Sequence, residues 1–172
     1  MPNDFVSPES ILGQLNLDKT MIAADFGCGS GGWTMPLAKI LSEGRVFAVD
    51  LIKGPLLALE SKAKLEKLLN IQTQTANVER GTKISSGSCD LVLATNLLFE
   101  CENKRGVIEE AKRVLKPGGR ILVIDWKKSA SFGPRDRAVL PGEIKKIAAE
   151  VGLAVQSEFD AGAYHYGMVL VK

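Results

Sequence analysis

Two kinds of segment alternate along this chain. Short apolar runs of about six residues are separated by longer stretches with apolar residues at helical spacing. Met21 to Phe26 is the first such run, and it ends at an acid and a glycine. Arg45 to Asp50, around Val46-Phe47-Ala48-Val49, reads as a buried strand, as do Asp90 to Thr95 and Arg120 to Asp125. Ile71 to Ala76 alternates apolar with polar residues, the mark of a half-buried strand. Between the strands, Thr34 is placed to N-cap a helix with Pro36 in its first turn and Gly44 just past its end. Pro55 opens another helix that carries Leu56, Leu59, Ala63, Leu65 and Leu69, with Asn70 as its stop. Lys104 to Leu115 collects Val107, Ile108, Ala111, Val114 and Leu115 on one face, and Lys116-Pro117-Gly118-Gly119 stops it and turns the chain. Gly142 to Val151 is a short helix with Gly152 at its end. Leu153 to Phe159 and Tyr164 to Val171 are strands joined by Asp160-Ala161-Gly162-Ala163, a hairpin. Residues 1–20 form a lead-in helix or lid around Ile11, Leu12 and Leu15.

Strands separated by helices imply a parallel sheet with helices on both faces. The expected fold is therefore α/β: a doubly wound, mostly parallel seven-stranded sheet with a C-terminal antiparallel hairpin. In such sheets ligands lie at the carboxyl ends of the strands, where strand order reverses. That rule selects the loops after Phe26, Asp50, Ala76, Asn96 and Asp125.

Composition narrows the class without changing this picture. A length of 172 residues suits one domain spanning 1–172. With 22 basic and 20 acidic side chains the net charge is +2, so nucleic acid is not indicated as a partner. No apolar run reaches the ~20 residues of a membrane span. The start, Met1-Pro2-Asn3-Asp4, lacks the basic and apolar regions of a secretory signal. Three cysteines without a C-x-x-C pair make a cytoplasmic, reducing compartment the default. The oligomeric state and a metal site find no signal in the sequence.

The chemistry concentrates at Gly27-Cys28-Gly29-Ser30-Gly31, directly after the first strand. Glycines there let the chain turn tightly and let a ligand touch the backbone. Asp50, at the end of the second strand, can accept hydrogen bonds from both hydroxyls of a ribose. Gly27, Gly29 and Gly32 also satisfy the dinucleotide fingerprint G-x-G-x-x-G, so the glycines alone leave two cofactor classes open. Asp25 separates them. An acid two residues before the loop would oppose a pyrophosphate, whereas it would assist a cofactor carrying an ammonium and a sulfonium, as S-adenosylmethionine does.

Asp25-Phe26-Gly27-Cys28-Gly29-Ser30-Gly31 resembles the first motif of the class I S-adenosylmethionine-dependent methyltransferases. Cys89 to Leu98 resembles their fourth-strand motif, and Ile108 to Arg120 resembles the helix and turn before strand five. The likeness is greatest to the small-molecule methyltransferases of the ubiquinone/menaquinone-biosynthesis type. It implies S-adenosylmethionine as cofactor and a small-molecule acceptor. It places the Gly27–Gly31 backbone, with Cys28, Gly29 and Gly31, against the methionine part of the cofactor. Asp25 would then lie near its amino group, Asp50 on the ribose, Leu51 against the adenine ring, Asn77 and Val78 at the adenine edge, and Asn96 near the methionine end. Asn77 stands where the family often has Asp.

No catalytic base has a strong claim. His165, the one histidine, reads first as a structural strand residue; Asp125 is a better-placed carboxylate that turn formation explains as easily. Glu100 and Glu102 read as solvated, and Cys28 and Cys101 as inert thiols. The basic, aromatic loop Trp126 to Arg137 is the most distinctive acceptor-side segment. Asn96-Leu97-Leu98-Phe99 lacks the Pro-Pro-aromatic run of DNA amino-methylating enzymes, and no cysteine follows a proline as cytosine C5 methylation requires. An RNA or protein methyltransferase, a nicotinamide-dependent oxidoreductase and a non-catalytic cofactor-binding module remain as alternatives.

Overall fold

Three helical crossovers and one loop without a helix, residues 76–88, each return the chain to the same end of one sheet, and this makes the first five strands parallel. The computed structural model describes residues 6–172. The opening Met1-Pro2-Asn3-Asp4 therefore lies outside the described residues. The elements are α1 (Pro8–Gly13), β1 (Ile22–Phe26), α2 (Thr34–Ile40), β2 (Arg45–Asp50), α3 (Lys53–Leu65), β3 (Ile71–Thr75), β4 (Cys89–Thr95), α4 (Lys104–Val114), β5 (Leu115–Trp126), α5 (Pro141–Glu150), β6 (Ala154–Ala161) and β7 (His165–Val171). The strand order is β3-β2-β1-β4-β5-β7-β6. Among the described strands only β7 runs against the others, pairing antiparallel with β5 and β6. The expected doubly wound sheet is thus present, and order reverses between β1 and β4.

Both faces of the central strands are covered, which is why β1, β4 and the Ile121–Ile124 stretch of β5 are almost continuously apolar. On one face, Leu12, Trp33, Leu37 and Leu41 pack on Ala23, Leu93, Leu122 and Ile124. On the other, Val107, Ile108, Ile144 and Ala148 pack on Ala24, Val92 and Val123. Helices α1 and α2 thus share one face, and α4 and α5 share the opposite one.

Several local readings shift. Thr34 is not the N-cap of α2; Trp33 holds that place, and the Thr34 hydroxyl donates instead to Asp25 Oδ2 at 2.6 Å. A long-range buried acceptor outcompetes the local cap. Helix α3 ends at Leu65, with Lys67 in a left-handed conformation, rather than at Asn70. The Asn70 amide is used elsewhere, donating to Ala38 O and Leu41 O at the end of α2. Lys116-Pro117-Gly118-Gly119 does not separate helix from strand. The chain passes from Val114 straight into β5, where Leu115 pairs with Cys89 before a register shift. Asp125 is followed by one more strand residue, Trp126, and is wholly buried.

Candidate functional site

The carboxyl ends of β1, β2, β3 and β4 surround a cavity of about 190 Å³. Gly27, Asp50, Leu51, Asn77, Val78 and Asn96, six residues singled out in the sequence, line it. Ile52, Glu79, Leu97, Glu100 and Cys101 line it too. Leu51 and Ile52 expose about two-thirds of their surface beside this cavity (64% and 63%), and together they present an apolar patch at its edge.

The glycine loop is fixed from within. The N–H groups of Gly27 and Cys28 both donate to Val49 O, at 2.8 and 3.1 Å. Gly29 N–H donates to Asp50 Oδ2 at 2.8 Å, and Gly31 N–H to Cys28 O at 3.0 Å. The other Asp50 oxygen accepts from Ile52 N–H at 2.9 Å. One carboxylate thus ties the glycine loop to the loop after β2.

The glycines have separate reasons. At Gly27 a Cβ would stand 2.7 Å from Leu97, the residue after Asn96, so the loop lies directly on the end of β4. At Gly31 (φ +93) a Cβ would stand 2.4 Å from Leu59 of α3, so this glycine serves helix packing. At Gly29 (φ +52) nothing lies within 4 Å of a Cβ, which leaves its backbone open to a ligand.

Asp25 sits beneath the loop, fully buried, and its Oδ1 has no partner among the described residues. Burial pushes its carboxyl up to about 7; the Thr34 hydroxyl opposes this and nearby Asp50 adds to it. Asp25, Cys28, Gly29 and Gly31 do not line the cavity itself; they form the floor and frame behind it. Cys28 is buried and its thiol is pushed far up by burial, and Cys101 is pushed up to about 12 for the same first reason. Neither presents a thiolate, as expected for inert cysteines.

Asn77 Oδ1 accepts from Glu79 N–H at 2.9 Å, so the loop after β3 is held by an Asx turn. Asn96 adopts φ +51, rare for a residue with a side chain, and its buried Oδ1 has no partner among the described residues. A strained residue with an orphaned oxygen on a cavity wall is a feature of ligand sites. Asp125 lies behind that wall. It accepts from Trp126 N–H at 2.8 Å and Phe99 N–H at 3.3 Å, and burial pushes its carboxyl up to about 6. It therefore shapes the turn after β4 rather than lining the cavity. Glu79 and Leu97 escaped sequence reading because their part depends on contacts between separate loops. The one local hint was Glu79's spacing, two residues after Asn77.

A family model described as "Methyltransferase domain" matches residues 24–123. Demethylmenaquinone methyltransferase of Geobacillus sp. (strain WCH70) is 27% identical over 128 residues, covering 74% of this chain and 54% of that protein. Methyltransferase str2 of Strobilurus tenacellus is 27% identical over 169 residues, covering 98% of this chain and 52% of that protein. The chain spans about half the length of these curated relatives. A crystal structure of a SAM dependent methyltransferase from Aquifex aeolicus superposes with a TM-score of 0.90 at 24% identity, covering 98% of this chain and 90% of that one. This last likeness is one of fold.

Proposed function

The chain belongs to the methyltransferase-domain family, and we propose from that premise that it transfers a methyl group from S-adenosylmethionine to a small-molecule acceptor. The observation that carries this reading is the state of the glycine loop. A pyrophosphate-binding loop offers free N–H groups at the start of a helix. Here the amides of Gly27, Cys28, Gly29 and Gly31 are already bonded inside the protein. The side-chain hydroxyl of Thr34, the first residue of α2, donates to a carboxylate of the protein itself, Asp25. Such a loop suits an ammonium and a sulfonium, which need acceptors and open backbone rather than donors.

The remaining residues fit the same cofactor. Asp50, at the cavity edge, would hold the two ribose hydroxyls. Leu51 and Ile52 would cover the adenine face, and Asn77 and Val78 its edge. Asn96, with its unpartnered buried oxygen, would receive a donor near the methionine end. Asp25 would act through the loop, adding negative charge beneath the cationic group. The bound cofactor would supply an activated methyl group on a sulfonium. The protein's task is then to hold the acceptor atom in line with the methyl carbon and sulfur, for which no base is required unless the acceptor must lose a proton.

Calorimetry with S-adenosylmethionine, S-adenosylhomocysteine and NAD on the wild type and Asp50→Ala tests this reading. Both sulfur nucleosides bind and NAD does not. Asp50→Ala weakens them by ~2 kcal/mol or more, about 30-fold, through lost charge-assisted hydrogen bonds. Binding of NAD in place of the sulfur nucleosides would overturn the proposal, and unchanged affinity in the variant would remove Asp50 from the ribose.

A further inference from the structure

β3 and β6 are the edge strands of the sheet, and they are built differently. An unpaired edge offers a row of main-chain donors and acceptors to any other strand, and proteins blunt such edges with charges, bulges or proline. On β6 the register shifts between Val155 and Ser157, and Glu158 and Asp160 hold Lys145 and Lys127 along it, each pair at 2.8 Å. On β3, Ile71-Gln72-Thr73-Gln74-Thr75, there is no charge, no proline and no break in the register with β2.

The bonded side of β3 fixes its open side. Val46 N–H donates to Asn70 O at 2.8 Å and Ala76 N–H to Asp50 O at 3.0 Å, so residues 70, 72, 74 and 76 turn their main chain to β2. The N–H and C=O groups of Ile71, Thr73 and Thr75 therefore point away from the sheet. The side chains of Ile71 and Thr73 lie under α3: Ile71 packs against the cluster of Leu56, Leu59 and Ala63, and the Thr73 hydroxyl donates to Glu60 Oε1. A groove of about 540 Å³ follows this edge, lined by Glu60, Lys64, Lys67, Leu69, Ile71 and Thr73 among others. Leu69 at its end is 94% exposed. Leu57, one turn before Glu60 on the same side of α3, is half exposed.

We propose that β3 pairs antiparallel with β3 of a second copy of this chain, with Thr73 on the two-fold axis. The register closes on itself. Thr73 meets Thr73, Ile71 meets Thr75 and Thr75 meets Ile71, and all of these are hydrogen-bonded pairs, so every outward group of the strand finds a partner. The crossover helices fit this arrangement. α3 lies over β2 and β3, so the two α3 helices of a joined sheet stand two strand spacings apart, about 9.6 Å, within the range of about 8–10 Å at which helices pack. Their facing sides are complementary. Glu60 of each copy, held near the axis by Thr73, is flanked by Lys64 of both copies, and Leu57 of one copy comes over Ile71 and the Lys64 stem of the other. Antiparallel pairing sends the two carboxyl rims to opposite edges of the joined sheet, so both cavities stay open. The pairing does not depend on the methyltransferase reading.

Analytical ultracentrifugation of the whole chain tests this. The chain sediments at twice its 18.5 kDa mass and dissociates on dilution. Thr73→Pro removes an N–H that points outward, so the ladder with β2 survives while the pairing is lost. The dissociation constant of the dimer rises by about tenfold or more, with the circular dichroism spectrum unchanged. Cross-linking gives a second measurement that does not depend on the folding of that variant. Cys28, Cys89 and Cys101 are buried, so a short bis-thiol reagent leaves the native chain single. It joins two copies of Thr73→Cys, whose thiols meet at the axis. In Thr75→Cys the thiols lie about 13 Å apart along the strands, four residues out of step, and the copies stay unjoined. A chain that remains at 18.5 kDa at every concentration overturns the inference. An edge that serves an extended segment of another protein gives that same result. A dimer that a folded Thr73→Pro variant leaves intact also overturns it, as does a cross-link that forms as readily from position 75 as from 73. If Thr73→Pro unfolds, the contrast between the two cysteine variants decides.

Discussion

The two halves of the sheet's carboxyl rim are built differently. Around β1, β2 and β4 the loops are tied together before any ligand arrives: Asp50 joins Gly29 to Ile52, Val49 O takes two loop amides, and Thr34 engages Asp25. The orphaned atoms there are single oxygens, of Asp25 and Asn96. Around β5 and β7, by contrast, the polar atoms of an entire imidazole, an indole N–H and the Tyr166 hydroxyl are buried without partners among the described residues. The first half is preorganised, so little reordering would oppose a ligand that meets it. The second half is folded in spite of its unpaired polar groups. One rim of one sheet thus joins loops that satisfy each other to strand ends that do not.

The sharpest way to break the first half is at Gly31. Gly31→Ala introduces a Cβ against Leu59 in a left-handed backbone, and the expected loss is ~3 kcal/mol of folding stability by denaturant unfolding, from overpacking plus backbone strain. A loss under ~1 kcal/mol would mean that α3 is not rigidly seated on the loop.

Asp25→Asn comes next. It should weaken S-adenosylmethionine by about tenfold, ~1.4 kcal/mol, in calorimetry at pH 8. The carboxyl is raised in the folded protein to about 7 from an ordinary value of 3.8, mainly by burial. The folded state therefore holds a proton that the unfolded chain releases, and the wild type loses stability as pH rises from about 4 through about 7. The Asn variant lacks this loss, so its Tm advantage should grow over that window. Wild-type cofactor affinity should rise with pH through about 7, as the acid ionises, while the variant stays flat. Parallel pH profiles would show that Asp25 does not tune the site.

The smallest stability effect belongs to Gly29→Ala. Its Cβ meets nothing within 4 Å, so the expected cost is only the left-handed backbone, ~1 kcal/mol. Cofactor affinity should nevertheless fall, because the methyl stands where a ligand would meet the backbone. Equal losses at Gly29 and Gly31 would erase the distinction between a ligand glycine and a packing glycine.

Much of the site could be read locally. Gly29, Asp50, Asn77 and Asn96 follow strand ends that the apolar runs mark out, and the structure brings Asp50, Asn77 and Asn96 to one cavity. The misreadings share one physical origin. Thr34 and Asn70 carry groups suited to local capping, yet each is claimed by a partner from another element. The unbroken passage from α4 into β5 likewise follows from pairing with Cys89, which no local signal encodes.

By itself the sequence determined the alternation of strands and helices, and with it a doubly wound sheet whose loops after β1, β2, β3 and β4 converge. These follow from hydrophobic period and turn chemistry, which act over a few residues. The tertiary structure alone decided that Leu97 lies under Gly27, that Asp25 is wholly buried beneath the loop, and that His165 stacks on Trp126. Those contacts depend on strand order and register between distant segments, and on which buried groups are left with a partner once the core has closed.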